Sequence, residues 1–242
     1  MKKYKFRNKL IEGVIKSRPN RFLMNVKMGR KIILCHCPST GSIGGIVFSN
    51  TPCLLSKAEG DKRKTPYTVE AISLDKISKK NKKWIGINQV KINKYVNFFL
   101  KNKKLSKMIY GKEILREKKL GNSRIDFLIE DTYLEVKMPL MRLPTNDEEQ
   151  VLRHSKFNSF DRLIKHFTDL SEHLRKNKRA IILLAYIYDA KPFSPPKRDK
   201  SNSKIIRAAR KASRYGIETW QANFKIDKSG VSLTKYFQRN LF

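Results

Sequence analysis

Hydrophobic spacing changes character once along this chain of 242 residues, and that change restricts the fold more than any other feature. In roughly the first third, apolar residues come in short runs. These are Ile11 to Ile15, Arg21 to Val26, Lys31 to Cys37, Val47 to Ser56, Tyr67 to Ser73 and Trp84 to Ile87. Pro19-Asn20 and Gly29 supply turn signals between the first runs, and charged turns separate the others. Short strands at this spacing, without a helical period, predict a small closed barrel. A five-stranded oligonucleotide-binding barrel (OB fold) is the economical choice.

Beyond Ile92 the period becomes helical: Tyr95, Val96, Phe99 and Leu100 recur on one face, which predicts a helix from near Asn88. The cationic turn Lys79-Lys80-Asn81-Lys82-Lys83 precedes it and sets the expected boundary, with a barrel domain over 1–83 and a second domain over 84–242. Three strands are expected next, Glu113 to Lys119, Arg124 to Ile129 and Thr132 to Met138, with a tight turn at Glu130-Asp131. The polar stretch Arg142 to Asn158 reads as a loop. Ser159 then caps a helix whose apolar stripe is Leu163, Ile164, Phe167, Leu170 and Leu174. Cations from Arg175 to Arg179 suit that helix's C-terminal dipole. Ala180 to Tyr188 is apolar throughout, as a central strand is. Pro192, Pro195 and Pro196 enforce a loop, a helix runs from Ser203 to Gly216, and strands Ile217 to Ile226 and Val231 to Phe237 flank a turn at Asp227 to Gly230. The whole order predicts an α+β chain, the barrel followed by helices packed on a mixed sheet.

Charge points to the partner. Lys and Arg number 54 against 21 acids, a net +33. Such a field attracts polyanions, either nucleic acid or an anionic membrane. A membrane span needs about 20 apolar residues, and Ala180 to Tyr188 is far shorter; no apolar segment follows Met1-Lys2-Lys3-Tyr4 to make a secretory signal. A merely solvated lysine-rich surface is the plainer alternative, but acids do not balance the excess. Nucleic acid is therefore the expected partner, with no membrane and no small-molecule cofactor. Three cysteines, Cys35, Cys37 and Cys53, form no disulfide framework and suggest reduced thiols in the cytoplasm. Cys35-His36-Cys37 lacks a second ligand pair for zinc. On a strand its thiols point one way and His36 the other, so the thiols serve best as small buried apolar groups.

Asp126 and Glu135-Val136-Lys137 fall on consecutive strands. Alternation puts Glu135 and Lys137 on one face, and counting from the Glu130-Asp131 turn brings Asp126 nearly opposite Glu135. Two carboxylates so close repel, and a hard cation between them relieves the repulsion. Mg²⁺ (or Mn²⁺) keeps waters, one of which can attack a phosphodiester, and Lys137 can orient that water or steady developing charge. An ordinary salt-bridged hairpin is the competing reading. Glu117 offers a third carboxylate, or else a partner for nearby lysines. Arg162, Lys165, His166 and Asp169 share a helix face opposite the apolar stripe, either wet surface or the wall of a phosphate cleft. In the barrel, Arg21, Phe22, Lys62, Arg63, Lys64 and Tyr67 are candidates for a basic groove with stacking rings, although Phe22 fits the core better. His36 precedes a turn in which Gly41 and Gly44 allow close backbone approach to phosphate.

These motifs together resemble the sugar fermentation stimulation protein A family along nearly the whole chain. In the first half the likeness rests on Arg21-Phe22-Leu23, on His36-Cys37-Pro38-Ser39-Thr40-Gly41-Ser42-Ile43-Gly44 and on Lys62-Arg63-Lys64-Thr65-Pro66. In the second half it rests on Ser123-Arg124-Ile125-Asp126-Phe127, Tyr133-Leu134-Glu135-Val136-Lys137, Arg162 with Lys165-His166, and Phe193-Ser194-Pro195. Ser39 replaces a usual Asn, Leu163 a usual Gly, and Met138-Pro139-Leu140 a Ser-Val-Thr type stretch. The resemblance implies an N-terminal OB-fold barrel and a C-terminal domain like the PD-(D/E)xK nucleases. It also implies DNA binding, with Asp126, Glu135 and Lys137 in metal and catalytic roles and Glu117 as accessory. The expected activity is magnesium-dependent cleavage of DNA or RNA, with Arg21, His36, Lys62, Arg63, Lys64, Arg124, Arg162, Lys165 and His166 on the nucleic acid. The alternative is a non-catalytic DNA-binding regulator of sugar metabolism genes that keeps the nuclease-like fold. Exposed strands leave oligomerisation open.

Overall fold

The computed structural model describes residues 2–58, 63–140, 143, 168–172, 178–194 and 203–240. Its first sheet contains β2 (Ile11–Asn20), β3 (Leu23–Met28), β4 (Lys31–His36), β5 (Thr51–Lys57), β6 (Tyr67–Ile72) and the short β7 (Ile85–Gly86), in the order β4-β3-β2-β5-β6-β7. A parallel bridge from His36 to Thr68 joins β4 to β6 and closes five of these strands into a barrel. Alternation fills it: Ile15, Met24, Val26, Cys35, Cys53, Leu55, Val69 and Ala71 are fully buried. Small thiols suit so narrow an interior. Burial pushes the Cys35 thiol up to about 11 and raises Cys37 and Cys53 as well.

Two expectations near the barrel's start are corrected. The turn falls at Arg21-Phe22, after Pro19-Asn20, because Asn20 Oδ1 accepts the Phe22 N–H at 2.8 Å and irregular pairing lets β2 continue. Phe22 therefore sits on the turn, 44% exposed under the Arg21 guanidinium, and does not enter the core. The strand expected from Val47 begins at Thr51, leaving Val47 in solvent.

The second sheet runs β1-β13-β12-β11-β10-β9-β8. Its members are β1 (Lys3–Lys5), β8 (Ile114–Leu120), β9 (Ser123–Ile129), β10 (Thr132–Lys137), β11 (Arg179–Tyr186), β12 (Glu218–Asp227) and β13 (Gly230–Gln238). Pairing is parallel from β10 through β11 to β12 and antiparallel elsewhere, so the sheet is mixed. The expected boundary at 83/84 falls between β6 and β7, and β1 belongs to the sheet at the far end of the chain. Helix α1 (Ile92–Lys101) is amphipathic: Tyr95 and Phe98 meet Tyr4 of β1, and Phe99 meets Phe224 of β12. Helix α2 (Ser203–Arg214) stops at Gly216, whose φ of +78° costs glycine little. Leu170, within the helical residues 168–172, is fully buried. The rest of that expected stripe, its Ser159 cap and the Arg142 to Asn158 loop other than Leu143 lie outside the described residues.

The two sheets share one apolar cluster. Glu70 of β6, buried, accepts from Ser56 Oγ at 2.5 Å, Asn88 Nδ2 at 2.9 Å and Lys91 Nζ at 2.5 Å, which ties the barrel to the start of α1. Gly86 N–H donates to Ile187 O at 2.8 Å, and Gly44 N–H to Leu140 O at 2.7 Å. Gly44 has φ +57°, and a Cβ there would stand 2.7 Å from Leu143. The barrel's 38–44 turn is thus packed directly on the chain that leaves β10.

Candidate active site

Asp126 lies in β9, whose sequence alternates cleanly: Ser123, Ile125, Phe127 and Ile129 are buried, and Arg124 is exposed. β9 and β10 pair Ile129 with Thr132, Leu128 with Tyr133 and Phe127 with Leu134. One further step sets Asp126 opposite Glu135, and there side chains replace the backbone ladder. Val136 N–H donates to Asp126 Oδ2 at 2.8 Å, and Asp126 N–H approaches Glu135 Oε2 at 3.4 Å. Lys137, on the same face as Glu135, donates its Nζ to Glu135 Oε1 at 2.5 Å. Glu135 is 2% exposed and the Lys137 side chain 23%. Asp126, Glu135 and Lys137 therefore meet.

Burial raises the Asp126 carboxyl above its ordinary value, and the neighbouring Glu135 charge raises it further. The Val136 N–H, the Asn93 amide and Lys137 work against that rise. Asn93, in the first turn of α1, was not foreseen. Its Nδ2 donates to Asp126 Oδ1 at 2.7 Å, while its own Oδ1 is buried with no hydrogen-bond partner among the described residues. No sequence signal singles it out: α1 also carries Lys94, Asn97 and Lys101, and the partner of Asn93 lies on a separate strand.

As a donor set, two carboxylates held together in a dry setting, with an unsatisfied amide oxygen beside them, fit a hard divalent cation. Glu117 does not complete the set. Register places it opposite Asp126, between the pairs Arg116–Phe127 and Lys118–Ile125. Its φ of +53° turns the strand there, and its side chain, 61% exposed, lies 3.6 Å from Arg124. Among the described residues no three His, Cys, Asp or Glu side chains cluster to hold a metal.

Of the barrel residues expected at nucleic acid, Arg21, His36, Arg63 and Lys64 are described. Arg21 is exposed in the β2–β3 turn, and Arg63 and Lys64 are exposed before β6. His36 is half-buried at the end of β4, opposite Leu23. Arg18 was overlooked: its guanidinium donates to Ser39 O at 2.6 Å and Gly41 O at 3.2 Å, fixing the turn that reaches the second sheet. Lys62, Arg162, Lys165 and His166 lie outside the described residues. Asp169, expected on a polar helix face, is 5% exposed and so belongs to the interior.

A closed OB barrel fused to a mixed sheet that sets a half-buried Asp126 against a buried Glu135 defines a two-part α+β protein. The description "SfsA N-terminal OB domain" matches residues 17–87, and "Sugar fermentation stimulation protein RE domain" matches residues 91–230. The chain belongs to the sugar fermentation stimulation protein family. It is 31% identical over 235 residues to a sugar fermentation stimulation protein homolog of Clostridium perfringens, covering 95% of this chain and 96% of that one. A Synechococcus homolog is also 31% identical, over 238 residues, covering 94% and 92%. SfsA of Pyrococcus furiosus, solved in complex with Ca²⁺, shares the fold at a TM-score of 0.77, with 20% identity and 98% of each chain covered. Among the described residues no helix is long and apolar enough to cross a membrane.

Proposed function

We propose that this protein binds nucleic acid, DNA foremost, and hydrolyses phosphodiester bonds at Asp126, Glu135 and Lys137 in the manner of PD-(D/E)xK nucleases. One observation carries the reading: the buried Glu135 and the half-buried Asp126 face each other beside a lysine, and burial first, then the Glu135 charge, raises the Asp126 carboxyl. Mg²⁺ or Mn²⁺ held by Asp126 and Glu135 would supply a polarised water and offset phosphate charge. That the Pyrococcus furiosus relative was solved with Ca²⁺ supports a divalent cation. Asn93 and the Val136 N–H fix the Asp126 carboxylate, so its geometry is set before substrate arrives. Lys137 Nζ, released from Glu135 or shared with it, orients the attacking water and stabilises negative charge on the phosphate. The barrel rim, through Arg21, His36, Arg63 and Lys64, holds the strand, with Arg124 beside the cutting site. Buried reduced thiols suit a cytoplasmic setting.

Labelled single- and double-stranded DNA and RNA, incubated with Mg²⁺ or Mn²⁺, test the reading. Wild type should cleave, and Asp126→Ala and Lys137→Ala should each slow cleavage by about a hundredfold or more. Equal products from all three proteins would mean that the site does not cut. A second reading, a non-catalytic DNA-binding regulator of sugar metabolism genes, is favoured by Glu117 turning away from the pair. It predicts tight DNA binding with no metal-dependent product.

A further inference from the structure

Away from the carboxylate pair, α1 ends and β8 begins around a groove of about 440 Å³ lined by Leu100, Lys101, Lys103, Gly111, Lys112 and Ile114. Its size lies within the ~300–1,000 Å³ of ligand sites. Its chemistry is one-sided. Lys101, Lys103 and Lys112 are exposed, and none forms an ion pair among the described residues. Nearby, the Glu130 carboxylate accepts the main-chain N–H groups of Lys112 and Glu113, and Glu113 itself is exposed. At the rim stands Tyr110, 58% exposed, with Lys103 Nζ 5.2 Å from its ring centre and 3.3 Å from its hydroxyl.

Lys103 is held in a conformation that suits it badly. It follows the end of α1 with φ +56°, where glycine sits freely and a lysine is strained. The turn itself needs only main-chain groups: Lys103 N–H donates to Leu100 O and Lys104 N–H to Phe99 O, each at 2.9 Å. The Lys103 cation faces the groove and the tyrosine.

We propose that this groove is a subsite for one nucleotide of a single strand, its phosphate against Lys101, Lys103 and Lys112 and its base stacked on Tyr110. The proposal rests on the nucleic-acid reading above and adds the substrate class. An exposed ring beside cations takes an unpaired base, whereas bases inside a duplex are already stacked. From Asn93, bonded to Asp126, to Lys101 is eight residues of chain, about 12 Å of helix. That distance puts the groove a few nucleotides from the carboxylates.

Fluorescence anisotropy with labelled oligothymidylate and with a labelled duplex, on the full chain across a salt series, tests the subsite. Tyr110→Leu should weaken oligothymidylate binding about tenfold, with Tyr110→Phe restoring it and duplex binding unmoved. Lys103→Gln with Lys112→Gln should flatten the salt slope for the single strand by about 1.4. Lys103→Gly should raise the melting temperature while weakening single-strand binding, a combination that a purely structural role does not give. If wild type binds oligothymidylate and every variant binds it equally, the groove is no subsite, although the nucleic-acid reading survives. If wild type binds neither probe, both fall.

Discussion

Asn93 illustrates how a residue away from the motif can control it. Its amide fixes one oxygen of Asp126 while the Val136 N–H fixes the other. Asn93→Ala should lower cleavage about 10- to 100-fold, the usual cost of losing a partner that orients a ligand, and steady-state rates at saturating Mn²⁺ check it. The raised Asp126 carboxyl has a consequence for pH. Between the ordinary carboxylate value and the raised one, the folded chain holds more protons than the unfolded chain. Stability therefore falls as pH rises through that window and recovers as pH is lowered. Melting temperatures of wild type and Asp126→Ala should converge or cross toward acid and separate toward neutral pH, with wild type losing relative stability. A constant difference would contradict it. The carboxylate pair was legible in the sequence because a hairpin of fixed register sets it. Asn93 was not, because its partner lies 33 residues away on another element.

At the scale of elements, the barrel strands were readable from alternation, and the errors have local causes. Asn20 moves the β2–β3 turn onto Arg21-Phe22 and so carries Phe22 out of the core. β1 escaped notice because three residues, Lys-Tyr-Lys, carry little period and pair with β13 at the other end of the chain. Helix α1 should be the least tolerant element: Phe99 is fully buried against Phe224, and Phe99→Ala should cost about 3–5 kcal/mol in denaturant unfolding. Glu70→Ala at the joint between barrel and helix leaves Asn88 Nδ2 short of its acceptor. A loss of about 2 kcal/mol is expected, tempered by the partial exposure of Lys91.

Over the whole molecule, a net +33 acts at range and a small buried site acts at contact. The field should make DNA affinity fall steeply with salt, whereas loss of Asp126 should leave that slope unchanged; parallel titrations of wild type and Asp126→Ala separate the two. The shared core and the Gly44–Leu140 contact hold the barrel's 38–44 turn and the chain that leaves the carboxylate pair in one body. The most direct test is Mn²⁺ binding to the full chain by calorimetry. Wild type should show a saturable site that weakens at least about tenfold in both Asp126→Asn and Glu135→Gln, as loss of a charged oxygen ligand demands. Superimposable isotherms for the three proteins would show that this carboxylate pair does not hold the cation.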